Sequence, residues 1–420
     1  MKVLVWSINY APEVTGIAPC NVALCEHLRA AGHDAQMLTS FAYYPDWRKQ
    51  PGDRGRLYRT DTLNGVPVHR CWHYVPARVS ALKRIVHEGT FVGLSFLRAL
   101  ALGRFDAMVV VSPPLLLGAA AWVLGKIKRA PFVFHVQDLQ PDAAVGLGML
   151  RAGAFTRALY RLEALAYAKA ARVSGISHGM LQAFAAKGVS AKKRVYFPNG
   201  ARLPGADAAP PPTGRWRARH GFAPDDFLAV YSGNLGVKQG LEILPEAARR
   251  LPPGGRVRIV VCGQGAAAER LRTAAEQARP NLTLLPLQDD AAYREMMADT
   301  DACLITQQAG TGQYFFPSKL LSALAGARPV LAVADADSEL ALALDEGGFG
   351  WRTAPGRPEE LAAALELAAA SGPDDRRRRG EAGRAYVARF AWGTVLADFT
   401  RTLETVAAEG AGGAPSRRAP

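Results

Sequence analysis

At residues 227–240 the chain reads FLAVYSGNLGVKQG, an apolar run followed by a loop with three glycines. The same order occurs near the start, where VLVW at 3–6 leads into NYAPEVTG at 9–16 and then into an apolar-periodic segment. A strand that enters a helix through such a loop presents free backbone N–H groups and the positive end of the helix dipole, which favour an anion. Two such loops, one in each half, predict two nucleotide-binding folds that face each other.

Short apolar, β-branched runs alternate with helical patterns throughout both halves. This alternation is typical of parallel sheets covered by helices on both faces. We therefore predict an α/β protein with two doubly wound, Rossmann-like domains that face each other across a cleft, with ligands beyond the carboxyl ends of the strands. The predicted strands are 2–6, 35–38, 66–70, 107–111, 131–136, 172–175 and 194–197, then 227–231, 257–261, 282–285, 302–305, 329–333 and 349–351.

A proline-rich stretch predicts the domain boundary. The chain has 420 residues, more than one hydrophobic core usually supports, and residues 203–214 contain four prolines without apolar periodicity. We predict an N-terminal domain at 1–202, a linker at 203–214 and a C-terminal domain at 215–390. A helix at 391–409 is expected to pack back on the first domain, and the Gly-, Ala-, Pro- and Arg-rich tail at 410–420 is expected to be disordered.

Positive charge is concentrated in the first half. Residues 1–202 hold 26 lysines and arginines against 11 aspartates and glutamates, a balance of +15, whereas the remainder holds 25 against 26. A basic domain favours anionic lipid headgroups, a phosphorylated substrate or nucleic acid, although arginine can also simply keep an alanine-rich chain in solution. Residues 81–102 mix basic and large apolar side chains, which suits either an interfacial helix or a helix packed on its own domain.

Cysteine and aspartate spacing argue against a disulfide framework and a metal centre. The five cysteines are odd in number and never form C-x-x-C, and the start MKVLVWS lacks the length of a signal peptide, so we expect a cytoplasmic protein. Two Asp-x-Asp triplets, at 299–301 and 335–337, fit a helix end and a helix cap better than a metal site. No metal and no other cofactor is predicted.

Two segments of the second half could contact a diphosphate. TGQYFFPSKLLSALAGARPV at 311–330 puts Ser318 and Lys319 at a helix N-terminus, where hydroxyl, ammonium and backbone N–H groups can converge on phosphates. An ordinary helix cap with a surface lysine is the alternative. CGQGAAA at 262–268 fits G-x-G-x-x-A, but the acidic residue that should end the next strand is missing, so its glycines indicate a tight turn near a nucleotide rather than a hydride-transfer site.

Several stretches, taken together, resemble the retaining glycosyltransferases of family 4, which have the GT-B fold, and within that family the WcaI-like branch of colanic acid and exopolysaccharide biosynthesis. The resemblance covers about residues 1–395. The stretches are YAPEVTG at 10–16, FHVQDLQPD at 134–142, FPNG at 197–200, SGNLGVKQG at 232–240 and PSK at 317–319.

The resemblance implies transfer of a sugar from a nucleotide-sugar donor, GDP-fucose or a UDP-sugar, with retention at the anomeric carbon and no bound metal. The C-terminal domain would bind the donor and the N-terminal domain the acceptor. The implied acceptor is a saccharide linked to a polyprenyl diphosphate, so we expect a peripheral enzyme on an anionic membrane surface, at the inner face of the bacterial plasma membrane, and no nucleic-acid partner.

The same resemblance implies the residues of the site. Asp138 and His135 are the catalytic candidates, although His135 could equally be a satisfied histidine on a buried strand. Where many family members carry two glutamates eight residues apart, this chain has Tyr314 and Ser322, and where many carry Arg and Lys in the second glycine loop it has Asn234 and Gln239. The implied donor contacts are Gly16, Gly233, Asn234, Lys238, Gln239, Gly263, Gly265, Phe316, Pro317, Ser318, Lys319 and Ser322.

Two other functions remain open at the level of sequence. A UDP-N-acetylglucosamine 2-epimerase would share the two-domain architecture but needs paired carboxylates and histidines for proton abstraction, and the chain offers few. A basic nucleic-acid-binding protein would use the charge of the first domain but not the two diphosphate-type loops.

Overall fold

The computed structural model of the chain divides into two units, each built on its own largely parallel sheet. The first unit comprises Met1–Asn199 together with the chain from Trp392 onward, and the second comprises Gly200–Ala391. The structure describes residues 1–14, 16–44, 46–78, 80–146, 153–201, 203, 213–236, 239–312 and 318–412.

The strands and helices of the described ranges follow in chain order. The strands are β1 (Lys2–Trp6), β2 (Asp34–Ser40), β3 (Tyr58–Leu63), β4 (Val66–Cys71), β5 (Ala107–Ser112), β6 (Phe132–Val136), β7 (Arg172–Gly175), β8 (Arg194–Tyr196), β9 (Phe227–Asn234), β10 (Val257–Gln264), β11 (Leu282–Leu285), β12 (Ala302–Thr306), β13 (Val330–Val333) and β14 (Gly350–Thr353). The helices are α1 (Ala18–Ala30), α2 (Ala81–Ala101), α3 (Leu116–Lys128), α4 (Gln140–Gly146), α5 (Ala154–Lys169), α6 (His178–Ala186), α7 (Arg215–Arg219), α8 (Ile243–Ala248), α9 (Ala268–Gln277), α10 (Asp290–Asp299), α11 (Ser318–Ala325), α12 (Glu339–Gly347), α13 (Pro358–Ala370), α14 (Gly372–Val387) and α15 (Trp392–Gly412).

The sheet of the first unit has the order β3-β4-β2-β1-β5-β6-β7-β8, and its pairs are parallel except for the antiparallel edge pair β3–β4. Its central strands are buried on both faces, as expected for apolar runs between two helical layers. The chain order reverses between β1 and β5, and ligands of such sheets bind beyond the carboxyl ends of the strands at that point.

Helix α15 packs on the first unit. Its apolar side chains join the core formed by β1, β2 and β5, and the ring of Phe399 stacks on Phe197 with centroids 3.7 Å apart. Near its end, Glu409 accepts two hydrogen bonds from the guanidinium of Arg172, at 2.6 and 3.0 Å. Disorder was expected from residue 410, whereas in the structure the helix continues to Gly412, and Gly410 lies close to the ring of Pro131.

The sheet of the second unit is parallel throughout, in the order β11-β10-β9-β12-β13-β14. This is the order of a dinucleotide-binding fold, with its reversal between β9 and β12. Helices α8, α9 and α13 bury leucine and alanine side chains against β9 and β10. The carboxyl ends of β9 and β12, and the helix α11 that follows β12, therefore lie at the expected binding edge.

Every strand predicted from the sequence is confirmed to within a few residues. One described strand, β3, is missing from the prediction, and the predicted loops after β9 and β10 start too early. Both strands continue through glycine, to Asn234 and Gln264, because glycine lets the two strand ends approach each other closely. None of the described helices has both the length and the apolar composition that a bilayer-spanning segment needs.

Candidate functional site

Glycines let the carboxyl ends of β9 and β10 approach each other closely. The two strands pair with Gly263 opposite Gly233. A Cβ atom on Gly263 would lie 2.0 Å from the carbonyl oxygen of Gly233, and one on Gly265 would lie 2.5 Å from the carbonyl oxygen of Leu235. Gly233 and Gly265 also have φ angles of +129° and +151°, a region that side-chain-bearing residues rarely adopt. These positions therefore require glycine whether or not a ligand is bound.

Lys319, near the start of α11, extends over the end of β9. Its ammonium donates to the hydroxyl of Tyr231 at 2.9 Å and lies 4.7 Å from the centroid of that ring. The hydroxyl donates in turn to the carbonyl oxygen of Asn234 at 2.7 Å, and burial raises the pKa of Tyr231, which keeps it protonated. A Cβ on Gly233 would lie 2.5 Å from Cε of Lys319. The structure thus brings three predicted residues, Gly233, Asn234 and Lys319, together around a buried tyrosine.

Two more predicted donor contacts, Gln239 and Ser322, lie on neighbouring elements of the second unit. The carbonyl of Gln239 accepts from the hydroxyl of Thr306 at 2.6 Å, which fastens the glycine loop to the end of β12. The buried oxygen Oε1 of Gln239 has no hydrogen-bond partner among the residues that the structure describes. Ser322 is exposed and shares a hydrogen bond with Tyr293, whose pKa is raised to about 12 by burial.

Some predicted contacts fall outside the described part of the chain. Lys238, Phe316, Pro317 and the side chain of Ser318 belong to this group, as does Tyr314, which occupies one of the positions where a glutamate is common in the family. Among the cationic residues predicted to contact the donor, Lys319 is therefore the one whose contacts the structure describes.

A buried carboxylate holds the loop after β1 in the first unit. Glu13 accepts hydrogen bonds from both backbone N–H groups of Tyr43–Tyr44, each at 2.9 Å, and from the side-chain amide of Asn9 at 2.8 Å. Burial raises the pKa of Glu13, while these donors act in the opposite direction. The guanidinium of Arg70 donates to the carbonyl oxygen of Ala11 at 2.6 Å. Both contacts fix the loop that leads to Gly16.

Gly16 lies in an exposed turn directly before α1. Its φ is +66°, and a Cβ there would have just one described neighbour within 4 Å, Cε1 of Tyr44 at 3.8 Å. No side chain caps the first turn of α1. The space above the turn is therefore open among the described residues, and the contact of Gly16 with a ligand stays a prediction.

His135 and Asp138, the catalytic candidates, lie at the carboxyl end of β6. The ring of His135 is buried, its Nδ1 lies 2.9 Å from the hydroxyl of Ser174, and its Nε2 lies 2.6 Å from the side-chain nitrogen of Gln137. Burial lowers the pKa of His135 to about 3. These features match the satisfied, buried histidine that the sequence left open. Asp138 is half-buried between β6 and α4, and its catalytic role stays a prediction.

The first of the two Asp-x-Asp triplets has a structural role. Asp299 accepts from the backbone N–H of Arg217 at 2.9 Å, and Asp301 accepts from the guanidinium of the same residue at 3.1 Å. The second triplet was expected to cap a helix, but Ser338, which follows 335–337, caps α12 instead. Within the described ranges, no three His, Cys, Asp or Glu side chains come together as metal ligands would.

Family models and one curated relative cover most of the chain. A model described as "Glycosyl transferase 4-like domain" matches residues 15–200, and one described as "Glycosyl transferases group 1" matches residues 213–386. The Escherichia coli (strain K12) protein named colanic acid biosynthesis glycosyl transferase WcaI is 34% identical over 348 residues, which are 81% of this chain and 85% of that protein. The chain belongs to glycosyltransferase family 4. As a family 4 member it is an enzyme, a transferase of sugars.

Other relatives and solved structures agree with this assignment. The phosphatidyl-myo-inositol mannosyltransferase of Mycobacterium tuberculosis (strain CDC 1551 / Oshkosh) is 31% identical over 189 residues, 44% of this chain and 48% of that protein. Sucrose-phosphate synthase from Thermosynechococcus elongatus matches with a TM-score of 0.75 at 17% identity, over 97% of this chain and 99% of that one. Anabaena HepE in complex with UDP matches with a TM-score of 0.71 at 19% identity, over 96% and 100%. These structures show the GT-B fold.

Sequence reasoning missed the residues that support this family 4 site. Gln137 and Asn199 lie in the stretches that carry the resemblance, and Tyr231 directly precedes one of them, but nothing in their spacing shows what they contact. Glu13 also lies in such a stretch, and the signal for it is a carboxylate in an otherwise uncharged loop. A buried carboxylate needs hydrogen-bond donors, so its presence could have indicated a fastened loop.

Proposed function

We propose that this glycosyltransferase moves a sugar from a nucleotide diphosphate donor to a lipid-linked saccharide during assembly of a colanic-acid-like exopolysaccharide. The transfer retains the anomeric configuration and uses no bound metal. GDP-fucose is the first donor to test and a UDP-sugar is the second. The name of the E. coli relative supports the pathway class, the HepE complexes with UDP and UDP-glucose support the donor class, and the lipid named for the mycobacterial relative supports a lipid acceptor.

The part of the proposal that concerns the donor rests on the ammonium of Lys319, which lies above the carboxyl end of β9. When the glycosidic bond breaks, negative charge develops on the phosphate oxygens of the leaving group. A cation that is already oriented stabilises this charge without reorganisation during the reaction. Tyr231 supplies that orientation at the point of the sheet where ligands of this fold bind.

Donor screening with the purified full chain tests this half. We expect one of GDP-fucose, UDP-glucose and UDP-N-acetylglucosamine to raise the unfolding temperature. With polyprenyl diphosphate-linked saccharides, that donor should release its nucleotide at a rate that EDTA does not change. Lys319→Met should lower kcat/KM about ten- to a hundredfold, the value of one hydrogen bond to a charged oxygen. Arg272→Met, which removes an exposed cation of α9, is the matched control.

Two outcomes would contradict the donor proposal. In one, none of the three nucleotide sugars stabilises the chain or releases its nucleotide. In the other, UDP-N-acetylglucosamine yields its epimer without any acceptor, which would favour the epimerase.

Asp138 is the carboxylate that the proposal assigns to the reacting sugars. It follows the buried strand β6 at the carboxyl edge of the first sheet, where a side chain can reach a ligand. Asp138→Asn should lower kcat at least tenfold with little change in the donor KM, measured by nucleotide release. Asp398→Asn, at an exposed position of α15, is the control. Equal rates for both variants would remove Asp138 from the mechanism.

The lipid half rests on the first turns of α2. Leu82, Ile85 and Val86 are 71%, 49% and 44% exposed, and Lys83 and Arg84 are exposed among them. Large apolar side chains interleaved with basic ones match the interface of an anionic membrane, into which the apolar groups insert while the cations contact headgroups. We propose that this surface binds the inner face of the bacterial plasma membrane, where a polyprenyl diphosphate acceptor is anchored.

Liposome flotation with the full chain tests the membrane surface. Wild type should float with phosphatidylglycerol-containing vesicles at low salt, and the double variant Leu82→Glu, Ile85→Glu should not. Leu367→Glu changes a leucine of α13 that is 59% exposed in the second unit, and it should float like wild type. Flotation of the double variant, or no flotation of wild type, would refute the membrane proposal and leave the donor proposal intact.

A further inference from the structure

A hydrogen-bonded network links four segments at the carboxyl edge of the first sheet. The side-chain nitrogen of Gln137 donates to Nε2 of His135 at 2.6 Å and to Oδ1 of Asn199 at 3.1 Å. Nδ1 of His135 donates to the hydroxyl of Ser174 at 2.9 Å, and the thiol of Cys20 donates to Oδ1 of Asn199 at 3.3 Å. The network connects the ends of β6 and β7, the segment after β8 and the first turn of α1.

Burial sets the protonation states in this network, and the amide of Gln137 then sets the direction of its hydrogen bonds. Burial raises the pKa of Cys20 to about 12 and lowers that of His135 to about 3, so the thiol is protonated and the imidazole is neutral. The amide nitrogen of Gln137 can only donate, so Nε2 of the neutral imidazole accepts and Nδ1 carries the hydrogen that is donated to Ser174. Both hydrogens of the Gln137 amide are then used, and the oxygen of Asn199 accepts two hydrogen bonds.

Each amide keeps one polar atom that the network does not use. No described residue donates to Oε1 of Gln137, and none accepts from Nδ2 of Asn199. Both side chains are half-buried, so these atoms can reach a ligand, whereas His135 and Ser174 are covered. A fixed acceptor next to a fixed donor is the pattern that two hydroxyl groups of a sugar satisfy, since each hydroxyl both donates and accepts.

We propose that Gln137 and Asn199 form an amide pair that binds hydroxyl groups of the acceptor saccharide, and that His135 is a positioning residue for Gln137. The inference rests on the proposed function and identifies the acceptor contact within it. It gives His135 a structural task in place of proton transfer. Asp138, the next residue after Gln137, then lies beside the bound sugar.

The first unit contains a second histidine–glutamine pair that serves as a control. Nε2 of His69 lies 3.3 Å from Oε1 of Gln36, and Nδ1 of His69 lies 3.1 Å from the hydroxyl of Thr60. The residue types match those of His135 and Gln137, although here the imidazole donates to the amide oxygen, and these residues lie within β2, β3 and β4 rather than beyond their carboxyl ends. Gln36→Leu therefore removes an equivalent amide without affecting the proposed ligand.

Saturation-transfer NMR with the full chain tests the amide pair. Methyl glycosides of glucose, galactose, mannose and fucose are titrated in the presence of saturating UDP or GDP. At least one glycoside should bind wild type and Gln36→Leu with the same Kd. Gln137→Leu and Asn199→Leu should each raise that Kd about three- to tenfold, the effect of one lost hydrogen bond.

Substitutions at His135 separate positioning from folding. His135→Phe should raise the glycoside Kd to a similar extent, and His135→Gln, which keeps an acceptor for the Gln137 amide, should restore much of the affinity. The wild-type Kd should not change between pH 5.5 and 8, because His135 does not titrate there. A Kd that follows a group with a pKa near 6.5 would overturn the positioning role.

The outcomes distinguish this inference from the proposed function. Binding of UDP and GDP is measured on the same samples by calorimetry. If the nucleotide binds but no glycoside does, or if all variants bind glycosides equally, the amide pair is refuted and the donor proposal stands. If neither nucleotide binds wild type, the proposed function itself fails.

Discussion

The glycines at the carboxyl edges of the two sheets differ in what surrounds them. In the first unit, a Cβ on Gly16 would meet one described atom within 4 Å, Cε1 of Tyr44 at 3.8 Å. In the second unit, a Cβ on Gly263 or Gly265 would lie 2.0 or 2.5 Å from a backbone oxygen. The same residue type leaves open space in one unit and allows the chain to pack on itself in the other.

This difference shows that a strand, a glycine loop and a helix in sequence do not by themselves define a ligand contact. In the second unit the glycines are required by the fold, and Lys319 lies over Gly233. We therefore expect donor recognition there to depend on the lysine and on neighbouring amides. In the first unit Gly16 can bring its backbone to a ligand, while Glu13 and Arg70 hold the loop.

The largest effect should follow from filling the space between β9 and β10. Gly263→Ala places a methyl group against the carbonyl of Gly233, and neither strand can move without losing parallel hydrogen bonds. We expect the second unit to lose about 3 kcal/mol of unfolding free energy, the upper range for overpacking. Urea unfolding followed by circular dichroism measures this loss. A loss below about 0.5 kcal/mol would mean that the close approach of the strands is not required.

Acid should affect the first unit more than the second. Burial lowers the pKa of His135 to about 3 and that of His69 to about 4, and the pKa values of three other histidines of this unit are also lowered. Below pH 6.5 the unfolded chain binds protons that the folded chain does not, so stability falls as the pH drops, by about 2 kcal/mol for each of His135 and His69 at pH 5. The raised pKa values of Glu13 and Glu163 act in the opposite direction. The three other histidines are His27, His73 and His87.

Hydrogen exchange measured by mass spectrometry, corrected for intrinsic rates, can compare the two units at pH 7.5 and pH 5. Peptides of β5 and β6 should lose protection at pH 5 before those of β9 and β10. The second unit contains one histidine, His220, and serves as the internal reference. Equal loss of protection in both units would show that the buried histidines do not determine acid stability.

Most of the fold could be predicted because its strands are apolar, β-branched runs of ordinary length. Strand β3 could not be found this way, since its sequence YRTDTL is polar and lies at the edge of the sheet. The sequence feature that could have revealed β3 is the turn Asn64–Gly65, where both residues have positive φ, as in a tight hairpin. The extension of β9 was missed because a glycine suggests a loop, whereas here it permits close strand pairing.

Less of the candidate site could be predicted, because its contacts join residues that are far apart in sequence. Lys319 and Tyr231 are separated by 88 positions, and Gln137 and Asn199 by 62. The residue types of Gly233, Asn234 and Lys319 indicated a diphosphate site, but only the packing of α11 against β9 brings them together. His135 was ambiguous because burial, which decides between a catalytic and a satisfied histidine, depends on the neighbouring strands.

A smaller effect is expected at the open glycine of the first unit. Gly16→Ala introduces no clash, but alanine must adopt a φ of +66°, which costs about 1 kcal/mol. The variant should therefore fold, with a thermal midpoint a few degrees lower. If Gly16 contacts the ligands, the kcat/KM of the Gly16→Ala enzyme in nucleotide release should fall by more than the lost stability explains. Gly32→Ala, also at positive φ in open space, is the control for strain alone.

The smallest effect should come from the hydroxyl that orients Lys319. Tyr231→Phe keeps the ring beneath the ammonium but removes the acceptor for Lys319 and the donor to the carbonyl of Asn234. Tyr231 acts on the donor only through the lysine that it orients, so kcat/KM should fall about two- to tenfold, less than for Lys319→Met. Tyr386→Phe, on α14 of the same unit, is the control. In the double variant Tyr231→Phe, Lys319→Met the tyrosine change should add little, since it acts through the lysine; full additivity would show that the two residues act independently.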